Sequence, residues 1–110
     1  MISRFDVWLT RLEPTLGHEI QKTRPCIVVS PDELNRTNWT VIVVPLTSQL
    51  KVLPTRIRVD FGGKKGQVVL DQIRAVDPKR LTKQLGRIDY HSGIQILTQL
   101  QNLFSFNHSS

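Results

Sequence analysis

Residues 17–30 read Gly17-His18-Glu19-Ile20-Gln21-Lys22-Thr23-Arg24-Pro25-Cys26-Ile27-Val28-Val29-Ser30. A polar, charged segment runs without a break into Cys-Ile-Val-Val. A continuous apolar run of that length is the pattern of a strand buried on both faces. Arg24 stands at the junction, where a sheet would begin, so its side chain is held by the sheet yet faces the loop. That place suits a cation that must hold a phosphate at a fixed point. A second apolar run, Val41-Ile42-Val43-Val44-Pro45-Leu46, ends in the hydroxyls of Thr47 and Ser48. If the two strands lie side by side, Arg24 and Thr47 converge at one end of the sheet.

Outward from this pair, Phe5–Leu12 alternates apolar and polar residues and predicts a half-buried first strand. Trp8 falls on the face opposite Phe5 and is read as core of a second layer rather than as an exposed stacking aromatic. Glu13-Pro14 ends that strand, because proline has no N–H for the ladder. Residues 13–23 then form a loop, long for a hairpin and of the kind that often carries function. Arg24–Ser30 is the second strand. Ser30-Pro31-Asp32-Glu33 reads as a helix start with Ser30 as the cap, the helix ending near Asn35-Arg36.

Thr40–Leu46 is the third strand and Gln49–Pro54 a further loop. Thr55–Phe61 predicts a strand with a wet face carrying Arg56, Arg58 and Asp60. Gly62–Gly66 reads as a turn and lacks the spacing of a phosphate-binding P-loop. Gln67–Ile73 is expected to be a fifth strand. Within it, Asp71 would be a buried carboxylate in need of a partner, with Arg74 or Arg24 available. Asp77–Leu81 reads as a short helical turn and Gln84–Ile88 as a last short strand. Asp89 is the expected cap of a final helix, with Ser92 or Gln95 as its capping-box partner. Ile94, Ile96, Leu97, Leu100, Leu103 and Phe104 give that helix a broad apolar face, to pack on the sheet or on a second subunit. Asn107–Ser110 is a polar tail.

The expected fold is therefore mainly β: a strongly curved antiparallel sheet of five to seven strands, with short added helices and a C-terminal helix. The 110 residues, 39% of them hydrophobic, suit one domain over 1–110 with a modest core. Fifteen basic residues against nine acidic give a net charge of +6, which favours phosphate-rich partners or an acidic protein. The single cysteine, Cys26, rules out an intramolecular disulfide and lies where a small buried hydrophobe is expected. No apolar run is long enough for a signal peptide or a membrane span, so the chain is read as soluble and cytoplasmic. His18, His91 and His108 are scattered and no paired-thiol motif exists, so no metal or cofactor is expected.

The ordered set Asp6-Val7-Trp8-Leu9, Glu13-Pro14-Thr15, Gly17-His18-Glu19, Lys22-Thr23-Arg24-Pro25, Val44-Pro45-Leu46-Thr47-Ser48 and Asp71-Gln72-Ile73-Arg74 resembles the MazF/PemK toxins. These are small endoribonucleases of toxin–antitoxin modules, and the resemblance runs in order from about Phe5 to the final helix. It implies an SH3-like barrel, a homodimer, an acidic antitoxin as partner and single-stranded RNA as substrate. It also implies that Arg24 and Thr47 are the central catalytic pair. In the PemK-like branch a basic residue stands two positions before the aspartate matching Asp71. Here that position is Val69, so the MazF-like arrangement is the closer model and Asp71 is less suited to act as an acid.

RNA cleavage by the neighbouring 2′-OH needs a base, an acid for the leaving 5′-oxygen, and a cation for the charge growing on phosphorus. Arg24 is always charged and can grip two phosphate oxygens, and Thr47 can donate a hydrogen bond to the same phosphate. His18 and Glu19 are the acid–base groups available in the loop, and the sequence leaves open which is the base. Lys22, Lys51, Arg56, Arg58, Lys64 and Lys65 are candidates for tracking the phosphate backbone. Thr23, Ser48, Gln49, Asp71 and Gln72 complete the candidate RNA contacts. Two rival functions stay open. One is a non-enzymatic, topoisomerase-binding toxin of the same fold, like the CcdB poisons, whose activity would survive loss of Arg24. The other is an SH3-like module that binds RNA without cutting it.

Overall fold

Six of the seven strands form where the apolar runs and alternations predict them, with shifts at their ends. The computed structural model describes residues 1–106, and the expected tail Asn107–Ser110 lies outside the described residues. The strands are β1 (Asp6–Arg11), β2 (Thr23–Val28), β3 (Val41–Thr47), β4 (Arg56–Phe61), β5 (Lys64–Val69), β6 (Arg74–Val76) and β7 (Leu81–Arg87). Two helices accompany them, a single turn α1 (Asp32–Asn35) and the long α2 (Tyr90–Leu103). The strands pair in the order β4-β5-β3-β2-β1-β7, all antiparallel, with β6 beside the first half of β3. The sheet curls until its ends meet without hydrogen bonding. A Cβ on Gly86 of β7 would stand 3.1 Å from the ring of Phe61 on β4. The result is a curved, barrel-like sheet that stays open.

β2 and β3 are buried on both sides, as their unbroken apolar runs require. Ile27 and Val44 face one core, with Phe5, Val7, Leu46, Val68 and Leu70. Cys26, Val28, Val41 and Val43 face a second, with Leu12, Val76 and Leu81, and Trp8 packs against its rim. α2 covers the first core through Ile96 and Leu100, while Leu97 packs beside them. Ile94, Leu103 and Phe104 of the expected apolar face stay exposed. Asp89 caps this helix as expected, accepting from Ser92 N at 3.0 Å and Ser92 Oγ at 2.7 Å.

Four local expectations are corrected. Ser30 does not cap α1: its hydroxyl pairs with Asn35 Oδ1 at 2.5 Å and accepts from Ile42 N at 3.0 Å, tying the helix to β3. The turn after β4 is only Gly62-Gly63, both at positive φ (60° and 75°), so Lys64 and Lys65 belong to β5 and pair with Phe61 and Asp60. Two adjacent glycines there meet the backbone demand of a two-residue hairpin. The fifth strand stops at Val69, because Leu70–Gln72 turn as a 3-10 helix. That turn carries Asp71 out to solvent, where it has no salt-bridge partner among the described residues. β6 was not expected from the sequence.

Candidate active site

The register of β2 on β3 pairs Cys26 with Pro45, Ile27 with Val44 and Val28 with Val43. Continued two residues past Cys26 and Pro45, it sets Arg24 opposite Thr47. Both line one cleft of about 200 Å³, together with Pro25, Leu46, Ser48, Val59, Phe61, Lys64, Lys65 and Gly66. The floor is apolar and the rim carries three cations and two hydroxyls. Among the described residues Arg24 has no hydrogen-bond or ion-pair partner, and it is exposed. Its guanidinium is therefore free to take an anion. Thr47 Oγ1 accepts from Gln49 N at 3.1 Å, a local turn that aims the hydroxyl and leaves its proton to donate.

The backbone beneath Thr47 is tightly bounded. A Cβ on Gly66 would come within 3.0 Å of the Thr47 carbonyl oxygen. Next to it, Gln67 pairs with Thr47 across the sheet and is 6% exposed. Its Oε1 accepts from Lys51 N (3.0 Å) and Arg56 Nη1 (3.2 Å), and its Nε2 donates to Lys51 O (2.9 Å). Gln67 thus staples the loop between β3 and β4 onto the sheet. Arg56 also donates to Gln49 O at 3.3 Å, so this predicted phosphate contact is engaged in holding the same loop. Lys51, Arg56 and Arg58 line a separate cleft with Leu50, Val52, Leu53 and Gln67.

The remaining candidates are distributed over the β1–β2 loop and its neighbours. His18 and Glu19 do not line the Arg24–Thr47 cleft. Glu19 Oε1 accepts from Leu16 N at 2.7 Å, which closes a local turn. Gln72 Oε1 accepts from Ile20 N at 2.6 Å, and its Nε2 donates to His18 O at 3.3 Å. Gln72 therefore braces the loop that carries His18. Lys22 and Thr23 line another cleft, with Arg11, Glu13 and Arg80. Lys64, Lys65 and Ser48 join the Arg24–Thr47 cleft, while Asp71 stands apart from every cleft described here.

Cys26 is fully buried and its thiol is pushed up to about 12, mainly by desolvation. It is a packing residue with no reactive thiolate at neutral pH. Among the described residues, no group of three or more His, Cys, Asp or Glu side chains is placed to hold a metal ion. No helix among them is long and apolar enough to cross a membrane.

A curved, open antiparallel sheet with a cationic cleft at the strand ends and a helix across one core defines a small β protein with a cleft suited to an anion. Residues 3–104 match the family described as PemK-like, MazF-like toxin of type II toxin-antitoxin system, and the chain belongs to that family. It is 35% identical over 95 residues to Endoribonuclease EndoA of Bacillus subtilis, covering 81% of this chain and 82% of that one. It is 34% identical over 110 residues to Endoribonuclease PemK of Escherichia coli, covering 94% and 83%. A crystal structure of MazF from Deinococcus radiodurans superposes with a TM-score of 0.83 at 25% identity, over 93% of this chain and 94% of that one. A mycobacterial endoribonuclease in complex with its cognate antitoxin superposes with a TM-score of 0.81 at 22% identity, over 98% and 99%.

Proposed function

We propose that this chain is a sequence-selective endoribonuclease that cuts single-stranded RNA without a metal ion. The observation that carries this reading is Arg24, unpaired and exposed, sharing one cleft with Thr47. The 2′-oxygen of one nucleotide attacks the adjacent phosphorus while its proton passes to a base. The bond from phosphorus to the 5′-oxygen breaks, and that oxygen leaves as a hydroxyl after taking a proton. The products are a 2′,3′-cyclic phosphate and a 5′-hydroxyl end. Arg24 offsets the extra charge on the phosphoryl oxygens and Thr47 donates a hydrogen bond to one of them. Lys64 and Lys65 extend the positive rim for the flanking backbone.

Within the β1–β2 loop we place His18 ahead of Glu19 as proton acceptor, because the Glu19 carboxylate already accepts from Leu16 N. Substrate binding would draw the loop over the cleft, and Gln72 sets where it starts from. Single strands are favoured because their bases are free to be read and their 2′-OH can reach in-line geometry. The toxin-antitoxin family and the neighbour solved with its cognate antitoxin support an antitoxin as partner, and the +6 charge of this chain favours an acidic one. A homodimer would cover the exposed Ile94, Leu103 and Phe104 of the last helix.

The test is to incubate purified protein with mixed-sequence single-stranded RNA in excess EDTA, beside Arg24→Ala, and to map the ends. Cuts at a short recurring motif, with cyclic-phosphate ends and absent from the variant, are the expected result. Folded wild-type protein that cuts nothing would overturn the nuclease and favour the topoisomerase-binding toxin. Equal cutting by the variant would remove Arg24 from the centre of the reaction.

A further inference from the structure

We propose that a second cleft, walled by Arg11, Lys22, Thr23 and Arg80, binds a backbone phosphate of the same RNA strand outside the cut dinucleotide. This rests on reading the chain as an RNA-cutting enzyme and adds a site that the cleavage chemistry does not use. The cleft encloses about 470 Å³ and its only acid is Glu13. None of its three cations pairs with a carboxylate among the described residues, Glu13 included. Three cations beside one carboxylate that pairs with none of them leave an excess of positive charge, which an entering anion would relieve.

Two of the walls are built rather than incidental. Arg80 is half-buried and donates Nη1 to the carbonyls of Arg11 (3.2 Å) and Glu13. Those bonds fix the plane of the guanidinium at the open end of β1, and its other N–H groups have no acceptor among the described residues. Lys22 holds a left-handed backbone at φ 65°, uncommon for a lysine, while its carbonyl accepts from Leu12 N at 2.9 Å. That bend delivers Lys22 to the mouth of the cleft, beside Arg11, which pairs with Thr23 across the strands. A planar arginine, a lysine and a threonine hydroxyl together match a phosphate, which takes a fork of donors and a point charge at once.

Position favours RNA over other anions. Thr23 and Arg24 are neighbours on β2, and successive strand residues face opposite sides. The two clefts therefore meet at the same strand end, Arg24 lining one and Thr23 the other. A chain whose scissile phosphate sits at Arg24 passes that end as it leaves, and the second cleft receives its next free stretch of backbone.

The experiment compares wild type with an Arg11→Gln/Lys22→Gln double variant, both shown folded by circular dichroism. Binding of a long and a short non-cleavable oligonucleotide, made with a 2′-deoxy residue at the cut position, is measured across a salt series. Losing that phosphate contact should make the slope of log affinity against log salt shallower by about 0.7 for the long strand. The advantage of the long strand over the short one should shrink with it. An unchanged slope, or equal losses for both lengths, would overturn the second cleft. So would a variant that loses binding only to an acidic peptide such as polyglutamate, which would assign the cleft to a protein partner. Cleavage by wild type is scored separately, so failure of the nuclease reading and failure of the cleft are told apart.

Discussion

Gln67→Ala should loosen the loop beside the proposed catalytic threonine and lower stability together. The wild-type side chain makes three hydrogen bonds: two accepted, from Lys51 N and Arg56 Nη1, and one donated, to Lys51 O. Neutral bonds are worth about 1 kcal/mol each and one to a charged group somewhat more. Lys51 is exposed, so water replaces part of what its backbone loses, and Arg56 keeps its bond to Gln49 O. The net loss is about 2 kcal/mol, which for a chain of this length lowers Tm by roughly 8 °C. Gln67→Glu keeps the acceptor atom and gains attraction to Arg56 but loses the donor to Lys51 O, so it should recover most of the fall. Thermal melting followed by circular dichroism measures both. On RNA, the alanine variant should weaken substrate binding more than turnover, because it frees residues 48–54 rather than Arg24. A Tm within about 1 °C of wild type would refute the staple. A glutamate variant no better than alanine would assign the loss to the missing donor to Lys51 O rather than to the bonds accepted by Oε1.

Two further outcomes follow from the core. Gly93→Ala would place a Cβ 2.6 Å from the ring of Phe5, which is buried, and overpacking of this kind costs about 1–3 kcal/mol. The gain in helix propensity of about 1 kcal/mol offsets only part of that, so the variant should melt lower; a higher Tm would mean that the ring moves aside freely. For Cys26, the folded thiol is raised to about 12 by burial, so its stabilising share is complete below the unfolded thiol's pKa and is lost as pH climbs towards 12. Wild type should therefore lose stability between about pH 9 and 12 more steeply than Cys26→Ala in denaturant titrations, by up to roughly 4 kcal/mol, and parallel curves would contradict it.

The doubly buried pair β2 and β3 was legible because unbroken apolar runs admit few other placements. The meeting of Arg24 and Thr47 followed from setting those runs side by side. The features that escaped depend on information that periodicity does not carry. β6 is three residues long with only Val76 buried, too short to show a period. Asp71 looked buried because Val68, Val69 and Leu70 precede it, yet a single 3-10 turn reverses which side faces water. The Gly62-Gly63 hairpin signal was present, but Gly66 blurred its end; only the tight approach to Thr47 O explains that third glycine. The bracing roles of Gln67, Gln72 and Arg80 arise from side chains reaching backbone far away in sequence, and no local pattern marks them. His18 and Glu19 were placed correctly on the loop, but not their distance from the cleft.

β3 is flanked by β2 along one edge and by β5 and β6 along the other, and its last residue is Thr47. Amide protons in the middle of β3 are expected to exchange more slowly than those of the segments 12–22 and 48–55, which lie outside the strands. The proposed phosphate-binding end of the sheet and the loops that would read bases thus lie on different elements, one on strands and the other outside them. Residues 50–54 line no part of the Arg24–Thr47 cleft, so mutation there would rewrite the second with the least disturbance of the first. On the proposed function, a scaffold divided in this way would let related chains acquire different target sequences around one proposed catalytic pair, and an in vitro selection randomising only residues 50–54 should yield active variants with altered cut sites.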